Sequence, residues 1–224
     1  MVCHKALLGH CFFLIYVNDM SAVLKNKLLL YADDSAILVS HKCLSRVEQA
    51  LTEDLHSVSQ WLIDNKLSLH LGKTESIVFG SKHKLKSKSV FSINCNGTSI
   101  QPTKSVKYLG VTLDQHLSFA VMADAVLKKA NSCLKFLYRK KEFLSDFTKK
   151  LLKMSLVQCH FDYACSFWYN GLSQSFKNKL QTNQNKMIRF VLNLDARASI
   201  RREHFNHLSW LPVEKRVHHL MLCF

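Results

Sequence analysis

Two adjacent acids sit where the chain has little room for charge. Tyr31-Ala32-Asp33-Asp34 lies between the apolar runs Leu28-Leu29-Leu30 and Ala36-Ile37-Leu38-Val39. That pattern predicts two half-buried strands joined by a tight turn, spanning 28–40. Like charges side by side at the edge of apolar surface repel each other and resist desolvation. A hard divalent cation such as Mg²⁺ relieves that repulsion, because it takes anionic oxygen ligands and clamps the oxygens of a phosphoryl group in transfer. A solvated turn is the other reading, since Asp is a common turn residue.

The order of the downstream segments narrows the choice. An amphipathic stretch carries Leu44, Val47, Leu51, Leu55, Val58 and Leu62 at helical spacing, which predicts a helix over 43–65. It closes on Trp61-Leu62-Ile63-Asp64-Asn65-Lys66-Leu67-Ser68-Leu69, with Trp61 and Leu62 as core. Gly72-Lys73-Thr74-Glu75 then leads into a strand at 75–79, and Val106-Lys107-Tyr108-Leu109-Gly110-Val111 reads as a later strand. This succession resembles the palm of reverse transcriptases from non-LTR (LINE-like) retrotransposons.

The resemblance extends to both ends of the chain. Val2–Met20 is similar to the family segment that lines the incoming-nucleotide pocket, with Cys3-His4-Lys5-Ala6 where the family has Pro-Gln-Gly-Ser. Leu180–Arg189 and Trp210–Arg216 resemble segments that follow the polymerase core.

The resemblance implies an RNA-directed DNA polymerase fragment using two metal ions, with Mg²⁺ as cofactor. Asp33 would be a direct metal ligand and Asp34 its partner; Lys73 would protonate the departing pyrophosphate. Tyr31 would lie against primer or template, and Tyr108, Leu109 and Gly110 match a hairpin that grips the primer. Ala6 falls in the nucleotide pocket, where Lys5 replaces the family glycine with a long cation. The implied partners are an RNA template, a DNA primer or target, and deoxynucleotides. The family's further metal-binding aspartate has no counterpart here, so the expectation is a chain inactive alone. A non-catalytic nucleic-acid-binding protein is the alternative.

Charge supports a polyanionic partner. The 224 residues carry 31 Lys and Arg against 16 Asp and Glu, a net charge of +15. Most of the excess lies in the second half: residues 116–224 hold 18 basic and 7 acidic side chains, and residues 1–115 hold 13 and 9. Basic protein surfaces bind nucleic acid by releasing condensed counterions. Lys128, Lys129, Arg139, Lys140 and Lys141 are the expected template or primer contacts.

From Phe119 onward the period shifts to about 3.6, with Met122, Val126, Ala130, Cys133 and Leu137 on one face. Further helices are expected over 145–160, 173–194 and 213–223, with Gly171 in a connection. The expected fold class is α+β: a partial polymerase palm (1–117) followed by a basic, all-helical thumb-like region (118–224). Within the first part, residues 6–20 read as the end of a buried helix, Asn96-Gly97 as a tight turn ahead of a strand at 98–101, 90–94 as a strand, and 81–89 as a basic loop.

Eight cysteines at 3, 11, 43, 95, 133, 159, 165 and 223 form no C-x-x-C pair and read as reduced packing residues. His204, His207, His218 and His219 read as surface positions. Lys5 followed by the run 6–17 imitates a short signal peptide, but His10 interrupts it and Asn18-Asp19-Met20 offers no small-residue cleavage site. An intracellular protein, nuclear or cytoplasmic and without a membrane partner, is the expectation.

Overall fold

The computed structural model describes residues 12–86 and 91–223. The Cys3–Ala6 segment and Ser87–Ser89 lie outside the described residues. The chain forms two compact units, Met1–Leu109 and Gly110–Phe224, and it is α+β.

In the first unit a helical run over 12–17 passes into a 3₁₀ turn, Asn18–Val23. Strands β1 (Lys27–Tyr31) and β2 (Asp34–Leu38) pair antiparallel, from Lys27 opposite Leu38 to Tyr31 opposite Asp34. Helix α1 (Leu44–Asp64) follows, then a 3₁₀ turn at Leu71–Lys73 and a single helical turn, α2 (Lys82–Lys86). β3 (Ile93–Cys95) and β4 (Thr98–Ile100) form a second hairpin. Asn96 and Gly97 close it with φ of 50° and 81°, the two left-handed residues of a type I′ turn. β5 (Ser105–Tyr108) ends the unit.

α1 is the spine of this unit. Its Leu55 packs with Phe91, Ile93, Cys95 and Ile100 of the β3–β4 region. One turn on, Val58 and Trp61 pack with Val17 and Met20, and Leu28, Leu30 and Ile37 of the β1–β2 hairpin lean on the same cluster. The helix thus carries the Asp33-Asp34 turn and the second hairpin on one apolar stripe.

Three expectations fail here and one shifts. Residues 75–79 form no strand: Ser76 makes one parallel bridge with Pro102, and its carbonyl accepts from Thr103 N at 2.7 Å. Proline lacks the N–H that a longer ladder on this side would need. The basic stretch 81–89 is helical over Lys82–Lys86, and the strand expected over 90–94 occupies Ile93–Cys95. The run 12–20 is not buried: Phe12 is 67% and Ile15 73% exposed, and only Val17 and Met20 are covered.

The second unit opens with β6 (Val111–Asp114) and continues through α3 (Ala120–Arg139) and α4 (Asp146–Lys153). A π-helical turn at Met154–Gln158 joins α4 to α5 (Cys159–Asp162). Then come α6 (Cys165–Trp168), α7 (Gln174–Val191), α8 (Arg202–Leu208) and α9 (Val213–Leu222). The sequence pattern predicts neither α6 nor α8. The run read as one strand over 106–111 is broken by a turn, with φ of 45° at Leu109 and 80° at Gly110.

One core holds this unit together. Met122, Val126, Ala130 and Leu137 of α3 are buried as the periodicity requires, and Cys133 is half-buried. They meet Leu180, Met187 and Ile188 of α7 and Trp168 of α6 in a single cluster. Asp114 shapes the entry to α3, accepting from Ser118 N at 3.1 Å, Ser118 Oγ at 3.0 Å and Phe119 N at 2.7 Å. Gly171 must be glycine, because a Cβ there would lie 2.7 Å from the Phe119 ring. No helix among the described residues is long and apolar enough to cross a membrane.

Candidate metal-binding hairpin and basic helical face

Tyr31 and Asp34 form the last pair of the β1–β2 ladder, so the turn is made by Ala32 and Asp33 alone. Ala32 takes φ 52°, a left-handed conformation that costs an alanine roughly 1–2 kcal/mol. That residue belongs to the turn that presents the acids. Asp33 and Asp34 are consecutive and exposed, and the Tyr31 ring beside them is exposed as well. Two neighbouring carboxylates open to solvent are fit to bind a divalent cation together with oxygen atoms from a bound phosphate. Among the described residues, no group of three or more His, Cys, Asp or Glu side chains is placed to hold a metal.

The hairpin is anchored by a residue outside the sequence-derived candidates. Asp54 of α1 is 1% exposed and accepts from Lys25 N at 3.0 Å, Asn26 N at 3.2 Å and Asn26 Nδ2 at 2.8 Å. These bonds fix the chain two residues before β1 begins. A signal was available: Asp54 stands three residues after Leu51 and four before Val58, on the apolar stripe of α1, where an unpaired acid would be costly.

The other candidate residues are dispersed. Lys73 ends the Leu71–Lys73 turn, exposed, its backbone N–H bonded to His70 O at 2.9 Å. Among the described residues it forms no ion pair with Asp33, Asp34 or any other acid. Tyr108 is half-buried at the end of β5. In the second unit, Lys128, Lys129 and Arg139 project from α3, and Lys140 and Lys141 continue past its C-terminus, the end that favours cations. Lys128 pairs with Asp124 at 2.8 Å, which raises its pKa. Ala6 lies outside the described residues.

The two C-terminal motifs bind each other. Gln181 of α7 accepts from Val213 N at 3.0 Å, and Gln184 donates to Leu211 O at 2.8 Å. Arg216 grips Asp162 through two bonds of 2.7 and 2.6 Å, and Gln158 donates to the same carboxylate at 2.8 Å. The Lys153 ammonium stands 3.6 Å from the centroid of the Trp210 ring. These segments are a structural clamp. Of the four histidines considered as surface positions, His204 is half-buried and accepts from Arg201 N at 3.0 Å at the start of α8; His207, His218 and His219 are exposed. The six described cysteines are free; Cys95 and Cys165 are buried, and Cys43, Cys159 and Cys223 are exposed.

Residues 7–113 match the family described as reverse transcriptase (RNA-dependent DNA polymerase). The chain is 25% identical over 197 residues to the RNA-directed DNA polymerase from mobile element jockey of Drosophila funebris, covering 83% of this chain and 21% of that protein. It is 26% identical over 170 residues to the probable RNA-directed DNA polymerase from transposon BS of Drosophila melanogaster, covering 75% and 18%. A third relative, the retrovirus-related Pol polyprotein from type-1 retrotransposable element R1 of Nasonia vitripennis, is 25% identical over 164 residues, 69% of this chain and 47% of that protein. The chain therefore spans about a fifth of the length of the first two. No solved structure matches it. The segment 7–113 belongs to the reverse transcriptase family. The relatives it matches are RNA-directed DNA polymerases and a Pol polyprotein of mobile elements.

Proposed function

We propose that this chain is part of an RNA-directed DNA polymerase, contributing palm elements through its first unit and a thumb-like, nucleic-acid-binding element through its second. The observation that carries the reading is the Tyr31-Ala32-Asp33-Asp34 turn, which sets two exposed carboxylates side by side on a buried-backed hairpin. Asp33 and Asp34 would hold Mg²⁺, which supplies charge neutralisation at the transferring phosphoryl group. Lys73 is assigned as the proton donor to pyrophosphate. Tyr31, Tyr108, Leu109 and Gly110 are assigned to the primer or template, and Lys128, Lys129, Arg139, Lys140 and Lys141 to its phosphates.

With only two adjacent acids gathered, the chain by itself is expected to bind primer–template without extending it. A non-catalytic nucleic-acid-binding role is the second reading, favoured by the absence of a three-acid cluster among the described residues and by the basic excess of residues 116–224. The test uses a fluorescent RNA–DNA hybrid with a recessed DNA primer, deoxynucleotides and Mg²⁺. Expected are binding that weakens steeply with salt, loss of affinity when the five basic residues are changed to Gln, and no added nucleotide. Binding that ignores both salt and those substitutions overturns the nucleic-acid assignment. Extension abolished by Asp33→Asn would show that the chain is catalytically sufficient and would reject the second reading.

A further inference from the structure

Helix α4 is packed inside out. Lys149 and Lys153 are 4% and 3% exposed, while Phe147 is 77% exposed and Phe143, in the turn just before the helix, 82%. Specific partners hold it that way. The Lys149 ammonium donates to Asn193 Oδ1 at 2.8 Å and reaches Asp146 Oδ1 at 3.3 Å, and Lys153 lies over the Trp210 ring. Ser145 caps the helix, its Oγ accepting from Thr148 N at 3.2 Å. The lysines thus occupy the interior, and the phenyl rings face water.

The surroundings of those rings select the occupant. Arg139, Lys140 and Lys141 precede Phe143 with Glu142 between, and among the described residues none of the three forms an ion pair. The Asp146 carboxylate is engaged by Lys149 and Asn193, which leaves Glu142 as the acid of this turn. An apolar protein partner would bury those three cations without counter-charges. A duplex would meet the cations but offer no base face to the rings. A single strand satisfies both, since its unpaired bases stack on aromatic side chains while its phosphates take the positive charge.

We infer that Phe143 and Phe147 form a stacking platform for unpaired bases of a single-stranded nucleic acid whose phosphates are met by Arg139, Lys140 and Lys141. The inference rests on the reading that the second unit binds nucleic acid, and it adds which form of nucleic acid this surface takes. Both rings are exposed, so their replacement leaves the core intact.

The experiment measures fluorescence anisotropy of the full chain with labelled oligo-deoxythymidylate, oligouridylate and a blunt hairpin duplex. The double change Phe143→Ala/Phe147→Ala is expected to weaken binding to both single strands roughly 10- to 100-fold and to change duplex affinity by less than about twofold. Phe147→Trp should retain single-strand binding and show indole quenching as bases stack on it. Wild-type affinity for single strands in the double variant overturns the platform but leaves the nucleic-acid reading standing if duplex binding persists. Failure of the wild-type chain to bind any of the three probes removes both. Sedimentation velocity adds a last arm: a wild-type dimer dissolved by the double change would make this a self-association surface, also overturning the platform.

Discussion

Changing Lys153 to Met probes the most heavily loaded position in the helical unit. Burial, with the nearby Arg216 charge, lowers the Lys153 pKa from 10.5 to about 7, and Asp162 opposes this. A fall of that size corresponds to about 5 kcal/mol at 1.36 kcal/mol per unit. The Trp210 face 3.6 Å away favours the ammonium and opposes this penalty. Because the folded-state pKa is the lower one, the unfolded chain binds the extra proton between about pH 7 and 10.5. Stability should therefore rise with pH across that window, and the penalty is complete below it. Urea unfolding at stepped pH should show Lys153→Met at least as stable as wild type near pH 7, with a flatter rise toward pH 10. A variant destabilised by more than about 2 kcal/mol at pH 7, with the wild-type slope intact, would mean that the indole face outweighs desolvation and that this reasoning is wrong.

Asp54→Ala should cost roughly 3 kcal/mol or more, since two backbone N–H groups and the Asn26 amide lose a buried charged acceptor; urea unfolding that differs by less than about 1 kcal/mol would show that water replaces it. Cys43 should react with a thiol reagent before Cys95 and Cys165 in the folded chain, because hydrogen bonds from Ser45 and Arg46 lower its pKa, whereas burial raises theirs. Peptide mapping that finds Cys165 modified before Cys43 would contradict the described packing.

The elements legible in the sequence are those whose stabilisation is local or periodic. α1 and α3 follow their 3.6-residue apolar stripes, the β1–β2 hairpin follows its apolar flanks, and Asn96-Gly97 follows from turn chemistry. The features that escape a sequence reading depend on partners far along the chain. Lys149 and Lys153 look like solvated lysines until Asn193 and Trp210 arrive from α7 onward. Asp54 stands out on the apolar stripe of α1, but its partners, the N–H groups of Lys25 and Asn26, come from far earlier in the chain. The run 75–79 has strand composition but meets Pro102 where a ladder would have to grow. Of the candidate site, the Asp33-Asp34 turn is readable because charge between apolar runs is rare. The roles proposed for Lys73 and Tyr108 come from resemblance alone, and among the described residues no ion pair joins Lys73 to the acids.

Asp33 and Asp34 are proposed to hold a divalent metal together with phosphate oxygens. Mn²⁺ titrated into isotope-labelled chain should broaden the amide signals of Ala32, Asp33, Asp34 and Ser35 weakly on its own. The effect should strengthen when primer–template and a deoxynucleotide are present, because phosphate oxygens complete the coordination. Asp33→Asn should remove it. Broadening centred elsewhere in the chain, or broadening at the turn that survives Asp33→Asn, would contradict the account.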